Sequence, residues 1–452
     1  MTGESQPFAN GGYGFFRILV TTRMDSEYPP LVFVSVHERF VLSNAVLHRV
    51  GERLCWLYEV GPIRGGRVLG EFVMNLSTRV ALTVALFACC TFAGGPETRL
   101  VPDQPVAGRF VKTAQGFMVA YDQPIPGSNV VIEMLPVPGG TVTLQPLPPY
   151  QEFDDFGEPV AKDQPAGTTQ QVSFEPFWIG KFEITMEQYL PYRQLYYRQK
   201  KDASEGINQA NSPTDVDAVT GPTDVYDPRY NFEYAGAPDS PVTTVSQFAA
   251  RQYTKYLTLL TGHSYRLPLR SEWQHAALAG SRTRYCFGDD AKRLGAFAVY
   301  LENTPIDSLT LRVGTKKPNA WGLHDVHGNV SELVIEDTAI TGLRFGHVAC
   351  GGNADSDAED CTAESVVRTT VAWWDEDPDF PRSSWWMTSE DSRMTGFRII
   401  APLAPMTDAH KHAYWDADSE QLAEDVQMRL EDGRGSLGRV TPPKPTTSRV
   451  DR

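Results

Sequence analysis

The 452-residue chain has only six cysteines, and its 41 Lys and Arg are outnumbered by 56 Asp and Glu. The formal charge of −15 and a pI near 5.1 set nucleic acid aside as a partner, because a phosphate-binding surface concentrates cations. The sequence also has no internal repeat and no apolar run long enough for a comfortable membrane span. Its most apolar stretch lies in "MNLSTRVALTVALFACCTFAGG", residues 74–95, where Arg79 precedes an uncharged run from Val80 to Phe92 and small residues follow. That is the layout of a secretory signal peptide at 74–93, with a buried core helix as the alternative. Under the signal reading translation starts at Met74, and residues 1–73 are an over-extension of the gene model or a disordered lead. The product is then an exported bacterial protein, periplasmic or extracellular. The lipobox Leu86-Phe87-Ala88-Cys89 is a poor one, so a soluble form is favoured over a lipoprotein. Cys55, Cys89 and Cys90 then fall outside the folded domain, leaving Cys286, Cys350 and Cys361, enough for one disulfide in an oxidising compartment.

What the chain does have is long, turn-rich sequence punctuated by a few periodic segments. Residues 94–129, rich in Pro, Gly and Gln, read as a linker. "VVIEMLPVPGGTVTL" reads as a hairpin around Pro138-Gly139-Gly140, and "FWIGKFEIT" as a further strand. "MEQYLPYRQLYYRQK" has helical character despite Pro191. Helical spacing in "VSQFAARQYTKYLTLLTG" predicts a helix capped by Ser246 and stopped by Gly262, and "RSEWQHAALAG" a shorter one closed by Gly280. Residues 201–241 read as a surface loop or insertion, 281–402 as loops and small strands, and 403–452 as a polar tail. The whole predicts an α+β domain over 130–402, poor in regular secondary structure and dependent on long ordered loops.

Five stretches in order, "MLPVPGGTVTL", "FWIGKFEITMEQY", "PVTTVSQFAARQYTKYLTLLTGHSYRLPLRSEWQHAALAG", "KKPNAWGLHDVHGNVSEL" and "GFRII", resemble the formylglycine-generating, or sulfatase-modifying factor, family. The resemblance implies a C-type-lectin-like fold. It also implies oxidation of a sulfatase cysteine to formylglycine with oxygen and a Cu(I) ion held by two cysteines beyond a Gly-Gly-Ser stretch. In "CGGNADSDAEDC" the glycines are Gly351 and Gly352, Asn353 replaces the serine, and the two copper positions fall on Ser356 and Cys361. A hydroxyl is a hard oxygen that cannot replace a thiolate for Cu(I), so the copper pair reads as broken. Cys350 precedes the glycines and is not a natural substitute. A Cys350–Cys361 disulfide or two inert thiols remain as its readings.

By the same resemblance "DVHGNVSE" is a calcium loop, with Asp325 and Glu332 giving carboxylates and Gly328 and Val330 giving carbonyls, the hard oxygens Ca²⁺ takes. The alternative is a turn in which Asn329 and Glu332 bond the backbone. His324 and His327 lack the partners of a zinc site. Trp373, Trp374, Trp385 and Trp386 read either as lining a recognition groove or as packing under loops. Arg368 and Arg398 are expected to brace carboxylates or carbonyls. The sequence therefore points to a binding or scaffold module for a protein or peptide, possible sulfatases included, or for a carbohydrate. The alternative is an active oxidase working through Cys361.

Overall fold

The computed structural model describes residues 99–431 apart from 148–149, 152, 154–157, 160–167, 205–217, 223–230, 305–310, 338–345 and 377–381, together with 435–437 and four short strands near the N-terminus. The expected signal peptide lies outside the described residues. The chain divides into two units, Met1–Gly95 and Pro96–Arg452. In the first, β1 (Thr21–Thr22) pairs with β2 (Val32–Phe33) and β3 (Val46–Val50) with β4 (Arg53–Leu57), both antiparallel.

The second unit opens with a three-stranded sheet of β5 (Leu100–Val101), β6 (Phe110–Thr113) and β7 (Gly116–Val119), in the order β5-β7-β6. With β8 (Tyr121–Pro124) these strands occupy the stretch read as a linker, which is a correction. Met118 is fully buried and Val119 accepts a hydrogen bond from the Trp178 indole, so this segment belongs to the core.

The main antiparallel sheet orders β8, β9 (Val131–Val137), β12 (Phe177–Gly180) and β18 (Ile400–Pro402), with β9 and β12 in its middle. The predicted hairpin at Pro138-Gly139-Gly140 does not form. Beyond β9 the chain turns out of this sheet, and β10 (Gly140–Leu144) pairs with β11 (Gln170–Phe174) instead. A Cβ on Gly139 would lie 2.7 Å from the Phe174 carbonyl, and one on Gly140 2.6 Å from the His275 ring. The glycines thus allow a close crossing between two sheets, which alternation alone does not distinguish from a turn.

Helix α1 (Met186–Arg193) begins at Thr185, whose hydroxyl accepts from Gln188 N while the Gln188 side chain accepts from Thr185 N, a reciprocal cap. It contains Pro191 and is followed by α2 (Leu195–Ser204). Helix α3 (Gln247–Thr261) is capped by Ser246 and ends at Gly262 with φ 76°, as its sequence predicts. Every residue from Gln247 to Thr258 is buried, so α3 is a central rod and not a surface helix. Around it pack Tyr189, Tyr192, Trp385, Trp386 and Phe397, and α4 (Arg270–Leu278) carries Trp273 into a second core cluster. A small sheet orders β16 (Val366–Arg368), β15 (Val348–Cys350), β14 (Ser331–Val334) and β17 (Thr395–Gly396) and carries the residues singled out in the sequence. In the stretch read as a polar tail, α5 (Asp408–Trp415) and α6 (Glu420–Glu431) bury Trp415, Leu422 and Leu430, a second correction. Finally β13 (Ala218–Thr220) pairs with β19 (Gly435–Leu437).

Candidate functional site

Strand β15 ends at Cys350, and the next two residues turn the chain sharply: Gly351 has φ 93° and Gly352 φ 67°. Side chains are excluded there. A Cβ on Gly352 would stand 2.6 Å from the Asp360 carbonyl and 2.9 Å from Cys361 Sγ. The turn therefore folds the 353–361 loop back over its own start. Asn353 organises that loop: its N–H donates to Ser356 Oγ at 3.0 Å, while its Oδ1 accepts from Asp355 N at 2.9 Å and from Ser356 Oγ at 3.2 Å. The Ser356 hydroxyl is thus committed within the loop.

Cys361 is fully buried among Tyr285, Leu294, Ala298 and Tyr300, with its thiol directed at the Asn353 carbonyl 3.9 Å away. Burial, with Asp360 and Asp357 close by, pushes that thiol up to about 12. His327 holds the neighbouring backbone. Its Nδ1 donates to the Cys361 carbonyl at 2.8 Å and its Nε2 accepts from Cys286 N at 3.0 Å, an arrangement that fixes the neutral tautomer. Burial lowers its ionisation to about 4. Beside it Tyr285, Phe287 and Phe297 stack in a column, with centroids 5.1 and 4.4 Å apart.

These residues do not fit a Cu(I) ion. One position carries a hydroxyl bound to Asn353, a hard oxygen where a thiolate is needed, and the other a single thiol buried under Gly352. Of the two readings of this pair, disulfide or inert thiols, the structure has the second: Cys350 and Cys361 are both free thiols. Cys350 sits on β15 in the cluster around Trp273, whereas Cys361 belongs to the cluster around Tyr285, and the Gly-Gly turn separates them.

On the other side of the 325–332 loop lies a buried polar knot. Arg398, without solvent exposure, donates to both oxygens of Glu332 and to the carbonyls of Gly180 (3.1 Å) and His324 (3.0 Å). The Trp273 indole also donates to Glu332 Oε2, at 2.7 Å. Glu183, in the "GKFEIT" stretch, accepts from Asn329 Nδ2 at 2.6 Å and from Val330 N at 3.2 Å. Sequence reasoning passed over Glu183; its one signal was a carboxylate inside an otherwise apolar segment. Burial raises Glu183 well above the carboxylate range, with Asp325 and Glu332 adding to the effect, and burial raises Asp325 to about 6.

The four expected calcium positions lie together on this loop, and the donor chemistry fits. Asp325 accepts from Gly314 N through Oδ2, but its buried Oδ1 has no hydrogen-bond partner, nor has Asn329 Oδ1. On Glu332, Oε2 has both lone pairs occupied while Oε1 keeps one. Three buried carboxylates face one guanidinium here, an imbalance that protons or a cation must offset. Among the described residues, no group of three or more His, Cys, Asp or Glu is placed to hold a metal by side chains alone. His324 and His327 do not converge: His324 Nδ1 bonds the Lys316 carbonyl.

The four tryptophans are core residues, each at most 6% exposed, which removes them as a recognition surface. Trp385 packs on Phe248 and under the Arg429 guanidinium, and Trp386 packs on Phe232. Arg368 braces the Gly346 carbonyl at 2.6 Å.

A family profile, the sulfatase-modifying factor enzyme 1-like domain, matches residues 124–400. The chain belongs to this family. Its α+β fold is the one the sequence resemblance implied. Among solved structures it is similar to PvdO from Pseudomonas aeruginosa (20% identity, TM-score 0.39, 63% of this chain and 98% of that one). It is likewise similar to the Treponema denticola variable protein 1 (18%, TM-score 0.37, covering 63% and 99%) and to CarF (21%, TM-score 0.35, covering 60% and 99%). At these scores the similarities carry no argument about this family member's activity. No curated protein matches the chain. No helix among the described residues is long and apolar enough to cross a membrane.

Proposed function

We propose that this family member does not oxidise cysteine and works as an exported binding or scaffold module for a protein, peptide or carbohydrate. The observation that carries this reading is Ser356, which offers a hydroxyl already bonded to Asn353 where a second thiolate is needed and leaves Cys361 as a lone soft ligand. A hydroxyl cannot replace a thiolate, the species that selects Cu(I). Export rests on the apolar run ending at Phe92 and its small-residue boundary. The test is to incubate the natural chain with a sulfatase-type cysteine peptide, oxygen and supplied copper, and to follow the peptide mass. No conversion to formylglycine is expected; turnover would return the chain to the oxidases. Ser356→Cys supplies a second soft ligand and should bind Cu(I) more tightly than the parent in a chelator-competition titration.

The same reading includes a structural calcium ion on the 325–332 loop, supported by the unpartnered Asp325 Oδ1 and the excess of buried carboxylate. A cation bound only by the folded chain raises its stability by mass action. Added Ca²⁺ should therefore raise the melting temperature and a chelator lower it. A melt indifferent to both removes the ion.

A further inference from the structure

Helices α5 and α6 lie beyond the family match and fold against α3, leaving a groove of about 440 Å³ between them. That volume is in the range of small-molecule sites, roughly 300–1,000 Å³. The polar groups it leaves open are acceptors. Gln252, at its back, is 3% exposed and donates Nε2 to the Trp415 carbonyl at 2.9 Å, while its Oε1 accepts from no described residue. Gln427 likewise donates Nε2 to Glu431 Oε1 at 2.8 Å. Glu420 and Glu424 stand exposed one turn apart on α6, with no ion pair among the described residues, and Asp416 shares only Oδ2 with His412. Among the lining residues the one cation, Lys255, is 2% exposed and already engaged.

A buried acceptor without a donor is costly, so the occupant must bring N–H or O–H groups. Net negative charge excludes an anion. A sugar hydroxyl both donates and accepts, and the groove has no committed donor to answer it. A metal ion needs convergent side-chain ligands, and no group of three or more acidic, His or Cys side chains is placed to hold one among the described residues. An ammonium only donates, and Ala423 and Val426 offer an apolar strip for methylenes between the charged positions. We propose that the groove binds a linear aliphatic diamine or polyamine, with its ammonium groups on Glu420, Glu424 and Asp416 and one N–H on Gln252 Oε1. This site is separate from the copper positions and from the 325–332 loop, and it depends on neither.

The test is titration calorimetry of the full chain with putrescine, a four-carbon diamine, at low salt. One saturable site is expected. Glu420→Gln with Glu424→Gln, both exposed, should weaken binding roughly five- to tenfold with the melting temperature unchanged. Ala423→Leu, also at an exposed position, fills the groove without changing its charge and should abolish binding. Butylamine, with a single ammonium, should bind several-fold more weakly than putrescine. Absence of a saturable site, or binding that survives Ala423→Leu, would overturn the proposal, the second by reducing the effect to diffuse surface charge. Equal competition by Mg²⁺ would do the same, and equal binding of butylamine would give the groove to single ammonium groups such as a lysine side chain.

Discussion

A thiol whose ionisation is pushed up to about 12 behaves at neutral pH as a small apolar group, and Cys361 is packed as one. Cys350 is raised well above its usual range by burial, and half-buried Cys286 to about 11. At pH 8 a thiol near 12 carries roughly three orders of magnitude less thiolate than an ordinary one. Iodoacetamide should therefore leave Cys350 and Cys361 unmodified in the native chain and modify both after denaturation; rapid native labelling of Cys361 would contradict its burial. The same shift sets a pH dependence. The folded value lies above that of the unfolded chain, so the contribution is complete below about 9 and is lost as pH rises toward 12, by up to about 4 kcal/mol. Stability should fall on the alkaline side, and Cys361→Ala should flatten that fall in melts between pH 8 and 10.5. Little of this was legible from cysteine spacing. Eleven positions separate Cys350 and Cys361, a distance equally suited to a disulfide or to two thiols, and the positive φ of Gly351 and Gly352 decides between them. The Arg398–Glu332 pair was hidden for a different reason: its members lie 66 residues apart.

Elements whose signals are local were read well, and those that depend on a distant partner were not. Helix α3 is legible because Ser246, the apolar spacing and Gly262 all lie within one stretch. What the stretch does not show is that Ser246 does two jobs: its oxygen accepts from Ala249 N, and its hydroxyl donates to the Ser384 carbonyl at 2.6 Å. Ser246→Ala loses both and should lower stability by about 1–2 kcal/mol. Ser246→Asp, a good cap in isolation, should not restore it, because a carboxylate facing the Ser384 carbonyl has no proton to donate. Denaturant melts of the three proteins check this; full rescue by Asp would reduce the residue to a cap. The hairpin at Pro138-Gly139-Gly140 failed for the opposite reason. Strand β9 takes β12 as a neighbour some forty residues later, and nothing in its own alternation names that partner.

At the scale of the molecule, the segments read as linker and tail both close over the core from outside the family match. Arg99 donates to the Gln123 amide oxygen and the Tyr265 hydroxyl, and lies over the Tyr121 ring at 4.4 Å. From the other end, Trp415 is 1% exposed and donates to the Tyr265 carbonyl at 3.2 Å, while Arg251 on α3 holds the Tyr414 and Asp416 carbonyls. Both extensions therefore meet at the strand-like turn after α3. Their short strands and polar-faced helices carry too little apolar sequence to announce a core role, yet they bury residues that carry much of the load. Met118, Trp415, Leu422 and Leu430 are nearly or wholly buried, and each such side chain withdraws apolar surface worth roughly 2 kcal/mol. Four of them approach the net stability of a typical domain, about 5–15 kcal/mol. A fragment cut to the family match, residues 124–400, would also uncover Trp178, Tyr265 and the face of α3 against which α5 and α6 pack. We expect that fragment to be insoluble, or to bind a hydrophobic dye and melt without cooperativity, whereas residues 96–437 should give one sharp thermal transition. A 124–400 fragment melting cooperatively within a few degrees of the longer chain would show that the extensions are accessories, and that the family core closes without them.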